Sequence, residues 1–135
     1  GFINKPIGRD PKDRVKQAIL TNGKEALTHY RVIDRFKSHT HVKAILETGR
    51  THQIRVHLSH IEHPLIGDPM YGGQVRFPKK ACQELKDKLI NFQRQALHSK
   101  KLTLTHPANG KSMTWKADLP DDMQELLNIL KRYDS

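Results

Sequence analysis

Hydrophobic positions along this chain change their period several times, and each change marks the start of a different element. From Ala26 to Phe36, Tyr30, Val32 and Phe36 alternate loosely with Arg31 and Arg35, the period of a half-buried strand. After the polar stretch Lys37-Ser38-His39 the alternation resumes, with Val42, Ala44 and Leu46 set against His41, Lys43 and Glu47, so the two runs predict an antiparallel hairpin. The spacing then lengthens. Ile54, Leu58 and Ile61 recur at i, i+4 and i+7, one apolar stripe of a short helix running from Thr51 to about Ile61, with Thr51 as the expected N-cap. Pro64, Gly67-Asp68-Pro69 and Gly72-Gly73 forbid regular structure beyond it and predict a turn-rich loop.

Residues 79 to 95 place Leu85, Leu89 and Phe92 at helical spacing amid Lys, Glu, Asp and Gln, which predicts an amphipathic helix with one face in solvent. Two further strands follow. His98, Lys100, Leu102 and Leu104 share a face of the first, Met113, Trp115 and Ala117 a face of the second, and Pro107-Ala108-Asn109-Gly110 between them is a hairpin turn. The last helix has Asp121 and Asp122 in its first turn, Met123, Leu126, Leu127 and Leu130 inside, and Lys131 and Arg132 at its end, the charge order its dipole favours. Residues 1 to 25 show no sustained period and are expected to be extended chain and loop. The sum is an α+β fold, predominantly antiparallel sheet with about three helices.

Length and composition narrow this picture. A chain of 135 residues can enclose one core, so two independent domains are not expected. With 36% hydrophobic and 28% charged residues it resembles a soluble globular protein with more surface than core, as an incomplete unit would be. Lys and Arg number 24 against 14 Asp and Glu, a formal net charge of +10 that favours a polyanionic partner, nucleic acid above all. The excess is not uniform: residues 1–50 hold 11 basic and 5 acidic groups, 51–100 hold 8 and 4, and 101–135 hold 5 and 5. Cys82 is the one cysteine, so no internal disulfide forms and a cytoplasmic location is expected. No apolar run reaches the roughly 18–20 residues of a membrane span, so no membrane partner is expected, and Gly1 in place of Met suggests a segment boundary.

Polar chemistry is densest from Leu46 to Leu58. Unpaired N–H groups at a helix start carry the positive dipole end, and Arg50 beside them would make a phosphate or carboxylate site. Arg55 stands off the apolar stripe, next to Ser59, and lies close to the sheet; a desolvated arginine there needs an anionic partner. Ordinary solvated surface charge is the other reading of both arginines. His57, His60 and His63 at i, i+3 and i+6 do not make a metal site, because such steps drift round a helix and no Cys or well-placed carboxylate completes a tetrahedral set. Asp68 is expected to bond backbone N–H groups of the Gly67–Gly73 turn rather than to act as a nucleophile.

Two long segments carry a family resemblance. Gly49-Arg50-Thr51-His52-Gln53-Ile54-Arg55-Val56-His57 resembles the GR(T/S)HQ(I/L)RVH signature of RluA-type pseudouridine synthases, and His63 to Gly72 is similar to the HP(L/I)xGDxxYG segment that follows it in that family. Lys5-Pro6-Ile7-Gly8-Arg9, Gln95-Ala96-Leu97-His98 and Leu104-Thr105-His106-Pro107 resemble further family elements, nearest to the subgroup acting on large-subunit ribosomal RNA. The resemblance implies that residues 1–135 are the C-terminal part of one catalytic domain. It implies isomerisation of uridine to pseudouridine without metal or cofactor, begun by an aspartate of an HRLD-type motif that attacks a flipped-out nucleotide.

No such motif occurs among these residues, nor does the family's active-site tyrosine, so the chain is expected to be inactive alone. Arg55 corresponds to the arginine that pairs with the nucleophile, so its carboxylate partner is not expected within this chain, and Val56 to an apolar wall of the uracil pocket. Arg50, His52 and His57 are expected RNA or framework contacts, while Gly49, Gln53, Pro64, Gly67, Asp68, Tyr71 and Gly72 form the structural motif. Because the family's sheet is shared between two halves, an exposed edge or apolar face and self-association are expected. A non-catalytic RNA-binding module is the alternative.

Overall fold

In the computed structural model, which describes residues 1–135, the long hairpin makes up two of the three strands of the largest sheet. Strand β4 (Leu27–Arg35) pairs antiparallel with β5 (Thr40–Leu46), Tyr30 opposite Ala44 and Val32 opposite Val42, with a register shift between Val32 and Asp34. On its other edge β4 receives β1 (Phe2–Asn4), Ile3 opposite Thr28, giving the order β1-β4-β5. Strands β2 (Ile7–Arg9) and β3 (Gln17–Ile19) form a second antiparallel pair, and β6 (Lys101–Thr105) and β7 (Ser112–Lys116) a third. The helices are α1 (Gln53–His60), α2 (Gln83–Asn91) and α3 (Asp121–Tyr133). The α+β class with three helices and antiparallel strands is the one expected.

The N-terminal twenty-five residues depart from the expectation of loop, since they contain β1, β2 and β3. Each is 3 residues long, too short to display a period of its own. Their shape is imposed by partners far along the chain: β1 by β4, and β3 by the Tyr71 hydroxyl, which accepts a bond from the Gln17 N–H at 2.9 Å. Ile3 and Ile7 are buried as a result.

Helix α1 also starts differently. Its N-cap is His52, in a left-handed conformation (φ 56°, ψ 22°) without a side-chain cap, so Thr51 does not have the expected role. The Gln53 side chain serves the helix start instead, its Oε1 accepting from the Arg50 N–H at 3.0 Å and from the Thr48 hydroxyl at 2.8 Å. The buried face is Gln53, Arg55, Val56, His57 and Leu58; Ile54 and Ile61 of the expected stripe are half-buried. A helix facing a sheet through hydrogen-bonding side chains does not show its interior in hydropathy alone.

Two small cores result. Leu85 and Leu89 of α2, Phe92 just after it, and Leu126 and Leu130 of α3 pack together, with Phe36, Ile66 and Met123 around them. Each such side chain stabilises the fold by about 1.5–3 kcal/mol on full burial. Ile7, Ala26 and Val56 form the second, flanked by Ile19 and Tyr71. The end of α3 is tied to the β4–β5 turn by Asp134, whose carboxylate accepts from the Ser38 N–H at 3.0 Å and meets His39 Nδ1 at 2.9 Å. The β6–β7 hairpin stands apart, exposed along both strands, with Leu102, Leu104, Met113 and Trp115 unpartnered on it. No helix is long and apolar enough to cross a membrane.

Gly67 anchors the loop after α1 to the segment beyond α2. Its φ is +74°, and a Cβ there would lie 2.2 Å from the Arg94 carbonyl oxygen and 2.4 Å from that of Phe92. Gly49 has no atom within 4 Å of the corresponding position. We expect Gly67→Ala to lower unfolding stability by about 1–3 kcal/mol in urea titrations, and Gly49→Ala to change it by less than about 0.5 kcal/mol; equal effects would contradict the close approach.

Candidate functional site

The site begins with a buried ion pair between α1 and the loop that follows it. Arg55 donates through Nε to Asp68 Oδ2 and through Nη2 to Oδ1, both at 2.9 Å, in the bidentate geometry that suits a planar guanidinium. Oδ1 also accepts the N–H groups of Met70 at 2.9 Å and Tyr71 at 3.1 Å, the turn role expected of Asp68. The expectation that Arg55 finds no carboxylate within this chain is therefore corrected. Asp68 meets it because the Gly67 turn folds back over the helix.

Burial is the largest single influence on Asp68 and would raise its pKa, but the bonds from Arg55, Met70 and Tyr71 and the Arg55 charge together hold it below the ordinary carboxylate value. Bonding to Asp68 in turn raises Arg55. Both groups stay ionised. The guanidinium carbon also lies 5.0 Å from the centre of the Tyr71 ring, a cation–π contact. Tyr71 is fixed at its far end, its hydroxyl accepting from Gln17 N and sharing a 2.8 Å bond with His52 Nδ1. Burial first, then the Arg55 charge, lower the His52 pKa despite Asp68 nearby, so His52 is neutral at pH 7.

Only one edge of Arg55 is used. The side edge, Nε and Nη2, belongs to Asp68; Nη1 has no hydrogen bond in the chain and is not sealed from solvent. The pair thus presents a fixed cation whose end edge, Nη1 with the second Nη2 hydrogen, remains free for another anion.

Behind it runs a buried polar seam. Gln53 Nε2 donates to the Leu27 carbonyl at 3.0 Å and to the Thr28 hydroxyl at 2.9 Å. That hydroxyl lies 2.7 Å from His57 Nδ1, and His57 Nε2 lies 2.9 Å from the Lys5 carbonyl. A carbonyl only accepts, so Nε2 carries the proton, Nδ1 accepts, and the threonine is the donor between them. Burial, the dominant influence, lowers the His57 pKa over the small opposing effect of the Lys5 bond.

His57 is fully buried against Thr28 of β4 and the Lys5 carbonyl between β1 and β2, so of its two expected roles, RNA contact and framework contact, it has the framework one. Val56 is likewise interior, 5% exposed against Ile7 and Ala26, rather than an open pocket wall. Arg50 is exposed, as a phosphate contact requires, yet its Nε already donates to the Glu25 carbonyl at 2.8 Å. Pro64 and Gly72 line a shallow cavity of about 450 Å³ beside Tyr71, and a Cβ on Gly72 would lie 2.4 Å from the Asp68 carbonyl. Sequence reasoning missed Thr28 and Thr48. A threonine in or beside a strand is ordinary, and nothing local marks Thr28 as an acceptor for Gln53 or Thr48 as a donor to it.

The chain matches the RNA pseudouridylate synthase family over residues 1–60. Over 132 residues it is 53% identical to ribosomal large subunit pseudouridine synthase D of Pseudomonas aeruginosa, covering 98% of this chain and 41% of that protein. The Pasteurella multocida protein of the same name is 50% identical over 131 residues, 97% of this chain and 40% of its own length. The chain thus spans about two fifths of the length of these relatives. The solved structure of human RNA pseudouridylate synthase domain containing 4 superposes with a TM-score of 0.69 at 28% identity, over 97% of this chain and 56% of that one.

Two measurements probe the site. The His57 ring, followed by NMR, is expected to titrate below 6.5, and because the unfolded chain takes up that proton first, the fold loses stability as pH falls from about 6.5 towards the lowered value. Titration at or above 6.5 would contradict the neutral seam. Asp68→Leu leaves a buried guanidinium unpaired and is expected to cost about 3–5 kcal/mol in chemical unfolding; a loss under 1 kcal/mol would show that the pair is solvent-relaxed.

Proposed function

We propose that this chain provides the arginine-bearing part of an RNA pseudouridine synthase that isomerises uridine in large-subunit ribosomal RNA, and that the 135 residues alone do not turn over. The observation that carries the reading is the free end edge of Arg55, in a guanidinium already fixed by Asp68 and Tyr71. A second carboxylate, the family's nucleophilic aspartate, would pair there. Asp68 already takes up much of the cation's field, so Arg55 acts on that second carboxylate chiefly by orientation: two N–H groups at fixed positions aim its oxygens at the ribose or base. Asp68 and Tyr71 are positioning residues in this reading, because they act through Arg55 and touch no reacting atom.

The cellular setting follows the same reading. The lone Cys82 is free and exposed, which suits a reducing cytoplasm. In the 135 residues by themselves, the apolar side chains of the β6–β7 hairpin favour self-association, which size-exclusion chromatography would detect as a concentration-dependent shift; a strictly monomeric profile would count against it.

The decisive assay is tritium release from 5-tritiated uridine in a ribosomal RNA fragment. The full-length parent protein is expected to turn over and the 135 residues alone are not. In the parent, Arg55→Met would strand the buried Asp68, so it is paired with Asp68→Asn, which keeps an acceptor for the Met70 and Tyr71 N–H groups. The double variant is expected to fall below a hundredth of parental turnover while unfolding cooperatively. More than a tenth retained would remove Arg55 from the chemistry, and turnover by the 135 residues would overturn the division of labour.

A further inference from the structure

The face of the β1-β4-β5 sheet opposite α1 carries a charge arrangement that the fold itself does not need. Register places Arg31 of β4 directly across from Lys43 of β5, with both side chains exposed. Like charges opposite one another in an antiparallel pair are destabilising. Neither has a carboxylate partner: the ion pairs of this sheet are His29 with Glu47 at 2.8 Å and His41 with Asp34 at 3.4 Å. Asp34, in the adjacent cross-strand row, is engaged by His41, and Glu47, four residues beyond Lys43, by His29.

Two residues along, the same face carries the cross-strand row Phe2, His29 and Ile45. Phe2 is 66% exposed and Ile45 48%, and the Phe2 and His29 rings lie 6.4 Å apart between centroids, tilted at 55°. A solvent-facing sheet surface has no reason to hold an unshielded phenylalanine beside two unpaired cations. A polyanion whose charged links alternate with flat rings satisfies both features at once: phosphate relieves the repulsion and a base covers the aromatic.

We infer that this face is an RNA-docking platform, with a phosphodiester bridging Arg31 and Lys43 and a neighbouring base stacked on Phe2 beside His29. The inference rests on the reading of the chain as part of an RNA-acting enzyme, but it concerns a surface of β1, β4 and β5 rather than the Arg55–Asp68 cluster. It explains why a repulsive pair is placed at the middle of the longest hairpin: its cost in the free protein is recovered when RNA binds.

The test uses the full-length protein and a fluorescein-labelled oligouridylate, titrated at several salt concentrations. Arg31→Gln with Lys43→Gln is expected to reduce the slope of log affinity against log salt by about 0.7, the value for the one phosphate the two side chains share. Lys131→Gln with Arg132→Gln, the same charge change at the end of α3, is expected to leave the slope unaltered. Phe2→Ala should weaken binding several-fold at every salt concentration without changing the slope. The RNA-free Arg31→Gln and Lys43→Gln single variants are expected to melt at a higher temperature than the parent, which separates loss of binding from loss of fold.

An unchanged slope in the Arg31–Lys43 variant, or an equal reduction in the control, overturns the platform. So does a dimer that dissolves on the same substitutions, since a second copy would then be the occupant. Tritium release at saturating RNA reads the isomerase proposal independently, and the Arg31–Lys43 variant is expected to retain it there.

Discussion

The structure depends on one buried ion pair. Arg55 sits on a helix of 8 residues, too short to be stable by itself, and its charge is removed from water where α1 meets the loop after it. That desolvation is tolerable only because Asp68 meets the guanidinium with both oxygens, and Asp68 reaches it only because Gly67 turns the chain in a conformation and a space closed to other residues. Helix, turn and ion pair therefore form together. The same pair fixes Tyr71, and Tyr71 holds β3 through Gln17 and His52 at the helix start, so the cluster joins four segments of the fold.

The seam behind it follows a related logic with neutral groups. Gln53, Thr28 and His57 are all buried, and every donor among them meets an acceptor. Directional bonds of this kind define the angle at which α1 lies on β4 more narrowly than apolar packing does. In the role proposed for Arg55, presenting one edge to a second anion, that angle has to be held. Only 16 of 135 residues are buried, so such bonds carry a larger share of the specification here than in a domain with one deep core.

The remaining surface divides by chemistry. The α2–α3 pair closes its own core and needs nothing further. The β6–β7 hairpin leaves Leu102, Leu104, Met113 and Trp115 half in water. The outer face of β1-β4-β5 is mixed, basic and aromatic, and fits a charged polymer better than a protein core.

From the residues alone came the elements with a clear period: the β4–β5 hairpin, the amphipathic α2 and α3, the β6–β7 hairpin, and the GRTHQIRVH and GD segments that point to the family. Those features are local, written in neighbours a few positions apart. What only the tertiary structure decided is non-local: that β1 exists because β4 lies beside it, that Gln53 rather than Thr51 serves the start of α1, that His57 and Val56 are interior, and that Arg55 already has an anionic partner thirteen residues away. Hydrogen bonds and charges choose partners by position in space, and no period along a chain records which distant carboxylate or carbonyl a fold will bring within three ångströms.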